Sequence, residues 1–168
     1  MLNTDDAGAL TEGLTIMQDR NALAGFRPMN RTLPILLSRA RDTLLHYWRP
    51  KLTEIGFTEQ QWRVMRVVAE KDRIDISSLA EATAMHMPSV TRILQVLEDI
   101  GMIERWRDPH DSRRSWVKAT QKAHDLMADC LEASNDMYSE IEKRFSAEKM
   151  EQLLDLLQEF SELRSRDR

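Results

Sequence analysis

The chain has 168 residues, 42% of them hydrophobic, which suffices for one domain or one compact body with an appended dimerisation element. Only 6% are aromatic and five are Gly, a composition unlike that of an all-β protein, and the ten Met suit either gaps between helices or an adaptable apolar cavity. A net charge of −4 argues mildly against a nucleic-acid partner unless the charge is unevenly spread.

Residues 1–30 read as an N-terminal arm. Leu10, Leu14 and Met17 fall at helical spacing, while Gly8, Gly13 and Gly25 weaken a helix there. Residues 33–55 form a long amphipathic pattern through Leu33, Leu36, Leu37, Ala40, Leu44, Leu45 and Trp48. Pro34 suits its first turn. Pro50 predicts a break or kink near Arg49, because it removes a backbone donor and crowds the preceding turn. Thr58 with Gln61 forms a capping-box pattern, and Trp62, Met65, Val68 and Ala69 continue helically behind it.

Ile74 and Ile76 alternate with polar neighbours, which predicts a short strand before a helix capped by Ser77 or Ser78. Leu79 and Ala80 are its candidate core residues. Pro88 then opens a helix running to Ile100, with Val90, Ile93, Leu94 and Leu97 as the buried stripe and Gly101 at its C-terminal stop. Met102 to Arg107 and Ser115 to Ala119 alternate as strands around a charged loop, Asp108-Pro109-His110-Asp111-Ser112-Arg113-Arg114. A helical period resumes from Gln121 to Phe145, and Ser146 is placed to cap a last helix rich in Leu. Its apolar density from Met150 to Leu163 exceeds what one side of a monomer's end helix needs, which predicts packing against a second chain.

The fold class is therefore mainly α with a small β-hairpin wing: a winged helix-turn-helix over 58–120, flanked by helical dimerisation regions at 31–57 and 121–168. Charge follows that division. Residues 102–118 carry five basic and three acidic side chains, and residues 121–168 carry seven and twelve. The acidity thus lies in the terminal helices, leaving the wing locally positive. Helix-turn-helix spacing puts the start of the second helix in the major groove of duplex DNA. The candidate DNA contacts there are His86, Met87, Ser89, Thr91, Arg92 and Gln95. Arg92 suits guanine, Gln95 suits adenine and Met87 suits a thymine methyl. Arg113 and Arg114 at the hairpin tip suit a narrow minor groove, where negative potential is focused. Asp108 and Asp111 repel phosphate, so their expected work is to pair with an Arg or to cap the turn.

A single cysteine, Cys130, excludes an intramolecular disulfide and suits a reducing cytoplasm; its helical position predicts a packed thiol. The chain shows no apolar run of membrane-span length and no basic-then-apolar leader, so a soluble cytoplasmic protein is expected. His46, His86, His110 and His124 are scattered without metal-ligand spacing, and no phosphate loop or nucleophile motif occurs. No enzyme activity, metal or cofactor is expected. The acidic total and apolar terminal helices also fit a helical protein-interaction adaptor without DNA binding. Arg113 and Arg114 on a hairpin behind a helix-turn-helix favour DNA.

Together these residues resemble the MarR family of bacterial regulators: Leu79-Ala80, Pro88-Ser89-Val90-Thr91-Arg92, Leu97-Glu98, Gly101-Met102-Ile103, and Asp111-x-Arg113 six residues before Ala119-Thr120. The family's wing pattern ends in Leu-Thr, where this chain has Ala119 and Thr120. The likeness spans about residues 31–165. Arg31-x-Leu33-Pro34, Arg39-Ala40-Arg41 and Thr58-Glu59-Gln60-Gln61-Trp62-Arg63 are similar to the subgroup that represses homoprotocatechuate catabolism. The resemblance implies a homodimer on a palindromic operator, released by a small phenolic or aromatic carboxylate. The residues suited to such an acid, two tryptophans with nearby cations, are Arg39, His46, Trp48, Arg49, Trp62 and Arg66.

Overall fold

The computed structural model describes residues 25–111 and 113–163. The helical pattern expected at Leu10, Leu14 and Met17 lies outside them, as does Ser112. Backbone contacts divide the chain into two units, residues up to Leu44 and residues from Leu45 onward.

The first unit holds a 3₁₀ turn, Met29–Arg31, and the start of helix α1, Leu33–Glu54. Thr32 closes the turn through a hydroxyl that donates to the Met29 carbonyl at 2.8 Å. Leu33, Leu36, Leu37 and Leu44 of the α1 stripe are exposed.

The second unit begins with the remainder of α1. Of the two outcomes expected at Pro50, a break or a kink, the break does not occur: the helix runs on through Pro50 to Glu54. Proline in a helix interior costs about 3 kcal/mol. Trp48 and Leu52, one on each side of it, are both buried, and burying two such side chains offsets that cost at about 1.5–3 kcal/mol each. Gly56 ends the helix at φ +72°, with the Phe57 N–H donating to the Leu52 carbonyl at 2.9 Å. Helix α2, Glu59–Ala69, opens with the expected reciprocal box: the Thr58 hydroxyl accepts from the Gln61 N–H, and the Gln61 side chain accepts from the Thr58 N–H at 2.8 Å.

Strand β1, Ile74–Asp75, leads into helix α3, Ile76–Ala82. The cap is Asp75 rather than Ser77 or Ser78. Its carboxylate accepts from both serine N–H groups at 3.1 Å, and from the Ser78 hydroxyl at 2.7 Å. A carboxylate at the residue just before the helix takes two orphan donors and favours the positive end of the helix, which neither hydroxyl matches. Helix α4, Met87–Asp99, follows a tight turn, with Pro88 in its first turn as expected. Strands β2, Ile103–Arg107, and β3, Ser115–Ala119, form the hairpin, and β1 adds to its far side in the antiparallel order β1-β3-β2.

The main core joins Val64, Met65 and Val68 of α2 to Leu79 of α3, the whole stripe Val90, Ile93, Leu94 and Leu97 of α4, and Ile103 and Val117 of the hairpin. The next helical stretch is two helices where one is expected: α5, Gln121–Asp129, and α6, Leu131–Phe145, meeting at Cys130. Cys130 is buried as expected, in a smaller cluster with Trp48 and Leu52. It is the cap residue shared by the two helices: its N–H donates to the Leu126 carbonyl of α5 at 3.1 Å, and its carbonyl accepts from the Ser134 N–H of α6 at 3.0 Å. Helix α7, Ala147–Glu162, is capped by the Ser146 hydroxyl, and Leu154, Leu156 and Phe160 on it are exposed.

Candidate nucleic-acid interface

Two local devices aim α4 outward. The turn before it is a left-handed helix stop at Ala84, φ +51°. There the Met85 N–H donates to the Ala80 carbonyl and the Ala84 N–H to the Glu81 carbonyl, each at 3.0 Å. The buried Thr83 hydroxyl donates to the Leu79 carbonyl at 2.7 Å, and Arg63 of α2 donates to the Thr83 carbonyl at 3.3 Å. Behind α4, Gly101 at φ +72° repeats the stop, and Lys122 donates to the Ile100 carbonyl at 2.8 Å. That ammonium sits at the negative end of the helix dipole.

With the apolar stripe fixed in the core, helical periodicity turns the opposite face to solvent. His86, Met87, Ser89, Thr91, Arg92 and Gln95 are all exposed. Thr91 turns its hydroxyl back to the Met87 carbonyl at 3.0 Å. Arg92 is exposed and makes no hydrogen bond or ion pair among the described residues. Gln95 is different. Its amide nitrogen donates to Asp99 at 2.8 Å, and its oxygen accepts from Arg105 of β2 at 2.8 Å. Arg105 also pairs with Glu98, so one strand residue clasps two side chains of α4. Sequence reading missed Arg105, since nothing within a turn of it signals that partner.

The wing is closed by carboxylates, as expected of Asp108 and Asp111. Asp108 accepts from the His110 N–H at 2.8 Å, the Asp111 N–H at 3.2 Å and the Trp116 indole N–H at 2.8 Å. These bonds, the indole first, hold its carboxyl below the usual carboxylate range. Asp111 accepts from the Arg113 N–H at 3.1 Å. The Arg113 side chain is 93% exposed, with a loose 3.4 Å contact to Asp111. Arg114 folds back so that its guanidinium carbon stands 5.2 Å from the Trp116 ring centroid, and Arg73 stands 4.7 Å from it. Arg73 and Trp116 also escaped the sequence reading. Ser77, Ser78, Met87, Arg113 and Arg114 line one cleft between the start of α3, the start of α4 and the wing. The Asp75 carboxyl there is held low, by the Ser78 hydroxyl first and with Arg114 adding to it.

The six residues suited to an aromatic acid do not share one environment. Trp48 and Trp62 meet, with centroids 5.3 Å apart and planes tilted by 54°. The buried Trp48 indole N–H has no hydrogen-bond partner among the described residues. Arg66 pairs with Glu70 at 2.6 Å, and His46 sets its ring edge-on to Tyr47 at 5.7 Å. Arg49 is exposed, and its carbonyl accepts from the Thr53 hydroxyl. Arg39 lies in the first unit, its carbonyl accepting from Thr43.

An outward polar face with Arg92 on the second helix of a helix-turn-helix, beside a basic hairpin, defines a winged-helix DNA-binding protein. Residues 57–115 match the profile of the MarR family. The chain is 36% identical over 132 residues to the homoprotocatechuate degradative operon repressor of Escherichia coli, covering 79% of this chain and 89% of that protein. It is 35% identical to the HTH-type transcriptional regulator FarR of Neisseria gonorrhoeae, with 79% and 90% covered. Among solved structures it resembles transcriptional regulator PA4135, at a TM-score of 0.76 and 35% identity over 81% of this chain and 98% of that one. It also resembles NadR in complex with 4-hydroxyphenylacetate, at 0.70 and 34% over 80% and 95%. The chain belongs to the MarR family of transcriptional regulators, and it is not an enzyme.

Proposed function

We propose that the chain is a transcriptional repressor that grips a palindromic operator as a homodimer, in the cytoplasm, and is released by a small aromatic carboxylate. The observation that carries the DNA reading is the pairing of two outward guanidiniums, Arg92 on α4 and Arg113 on the wing tip. In this reading Arg92, with His86, Met87, Ser89 and Thr91, meets the major groove, and Arg113 the minor groove. Gln95 reaches a base only by giving up Asp99 or Arg105. Residues 58–120 are the DNA-binding domain, 31–57 and 121–168 the dimerisation region, and 1–30 an arm.

The dimer is supported by apolar side chains that water would otherwise wet, Leu154, Leu156 and Phe160 of α7, and Leu33 and Leu36 of α1. A self-complementary pair of such surfaces matches the two-fold symmetry of a palindrome. The effector reading rests on the names of the homoprotocatechuate repressor and the 4-hydroxyphenylacetate complex, and on the Trp48 N–H. A buried donor without a partner costs about 1–3 kcal/mol, a cost that an acidic oxygen relieves.

Fluorescence anisotropy with a selected operator tests the DNA reading. Affinity is expected to fall with salt at a log–log slope of about −0.9 per phosphate neutralised, and Arg92→Ala to cost about 1–3 kcal/mol. A salt-indifferent chain that binds no duplex returns the adaptor reading. Hydroxyphenylacetates and benzoates, titrated with and without operator, test the effector. By linkage, a ligand that releases DNA must bind more weakly when operator is present. If none binds below millimolar concentration, the effector reading fails and the DNA reading stands.

A further inference from the structure

The two wing arginines are adjacent in sequence, yet they occupy unlike positions. Arg113 points into solvent, with a 93% exposed side chain, while Arg114 lies over the Trp116 ring. What separates them is a connected set of bonds. The Asp108 N–H donates to the Arg114 carbonyl at 2.9 Å, which joins the two ends of the loop. The Arg114 N–H donates to the Asp111 carbonyl at 2.8 Å, which makes a turn at the tip. The Asp108 carboxylate then collects two backbone N–H groups of its own side of the loop and the indole N–H from β3. Trp116 is thus bonded at its edge, and two guanidiniums stand over its face. It is also held from both sides in the sheet, opposite Trp106 of β2 and Asp75 of β1.

We infer that Trp116 and Asp108 are positioning residues for minor-groove reading: their bond fixes the wing loop, withdraws Arg114 onto the indole, and leaves Arg113 as the arginine that the tip presents. This inference rests on the DNA reading above and assigns within it which wing cation reads and what orders it. The physical ground is preorganisation. A seven-residue hairpin loop without that bond samples many tip directions, and binding must then remove that freedom. An arginine seated on an aromatic face keeps its charge near the DNA while losing its reach. Arg114 therefore supplies local positive potential, and Arg113 supplies contact.

A double-mutant comparison tests this. Trp116→Phe keeps a ring and deletes the indole N–H. Asp108→Asn keeps a carbonyl oxygen for the backbone donors and turns an amide towards the indole. Each is expected to weaken operator binding about five-fold, and the two together no more than the weaker single variant, because both delete one bond. The Arg113→Ala loss, about ten-fold in the parent, is expected to shrink to about two-fold in the Trp116→Phe background. The Arg92→Ala loss is expected to be the same in both backgrounds, which general destabilisation of the fold does not reproduce. An Arg113→Ala loss that is equal in both backgrounds overturns the inference, as does an Arg114→Ala loss larger than that of Arg113→Ala. Should either variant fail to fold, the parent's Trp116 indole proton decides: slow exchange in NMR supports the bond, and exchange at the rate of a free indole overturns it. A parent chain that binds no duplex refutes the DNA reading instead, whereas normal operator binding with the wrong coupling refutes only this inference.

Discussion

The turn that aims α4 contains an alanine where the backbone favours glycine, and reversing that choice measures what the turn contributes. Ala84 sits at φ +51°, in the left-handed region where a Cβ crowds the following carbonyl at a cost of about 1–2 kcal/mol. Glycine removes that crowding but loses more freedom on folding, which takes back about 0.5–1 kcal/mol. Ala84→Gly is therefore expected to stabilise the fold by about 0.5–1 kcal/mol, raising Tm by about 1–4 °C for a chain of this size. Gly101 provides the opposite sign in the same motif. It sits at φ +72°, and a Cβ built there meets nothing within 4 Å, so Gly101→Ala adds backbone strain without a clash. It is expected to cost about 1 kcal/mol. Urea unfolding at one fixed protein concentration measures both, with an unchanged m-value showing that the folded and unfolded ensembles are otherwise the same. A destabilising Ala84→Gly beside a neutral Gly101→Ala refutes the reasoning, since the two turns share their hydrogen-bond pattern.

Three further outcomes follow from the site. Arg105→Ala is expected to lose about 1–2 kcal/mol of stability with the half-buried Glu98 pair, and to release Gln95; Gln95→Ala should then change base preference only in that background, as selection from a random operator pool reads out. Asp75 and Asp108 both have depressed folded pKa values, so their stabilisation is present above the unfolded carboxylate value, about 4, and is lost as pH falls through the lower folded values. Stability followed from pH 7 downward is thus expected to fall below about 4, and Asp108→Asn to flatten that fall; a curve that the substitution leaves unchanged sinks the assignment. Burial pushes the Cys130 thiol up, so it should resist a thiol reagent in the native protein and react fully in denaturant, whereas rapid native labelling refutes its packing.

The sequence determined what depends on neighbours within a turn or two. The Thr58–Gln61 box, the Pro88 start, the Gly101 stop and the buried stripe Val90, Ile93, Leu94 and Leu97 are i to i+4 relations, and the fold shows all of them. The winged-helix class was legible for the same reason: alternation and helical period switch where the chain switches. Tertiary structure decided the rest. Pro50 stays inside α1 because Trp48 and Leu52 are buried on both sides of it, and no local rule contains that energy. Arg105 reaches Gln95 ten residues away, and Arg73 reaches Trp116, only once β1 and β2 have closed on the two edges of β3. An arginine's sequence position states its charge, but its reach is fixed by which groups the closed sheet brings within hydrogen-bond distance. That is why Arg113 and Arg114 read alike in the sequence and differ in the fold.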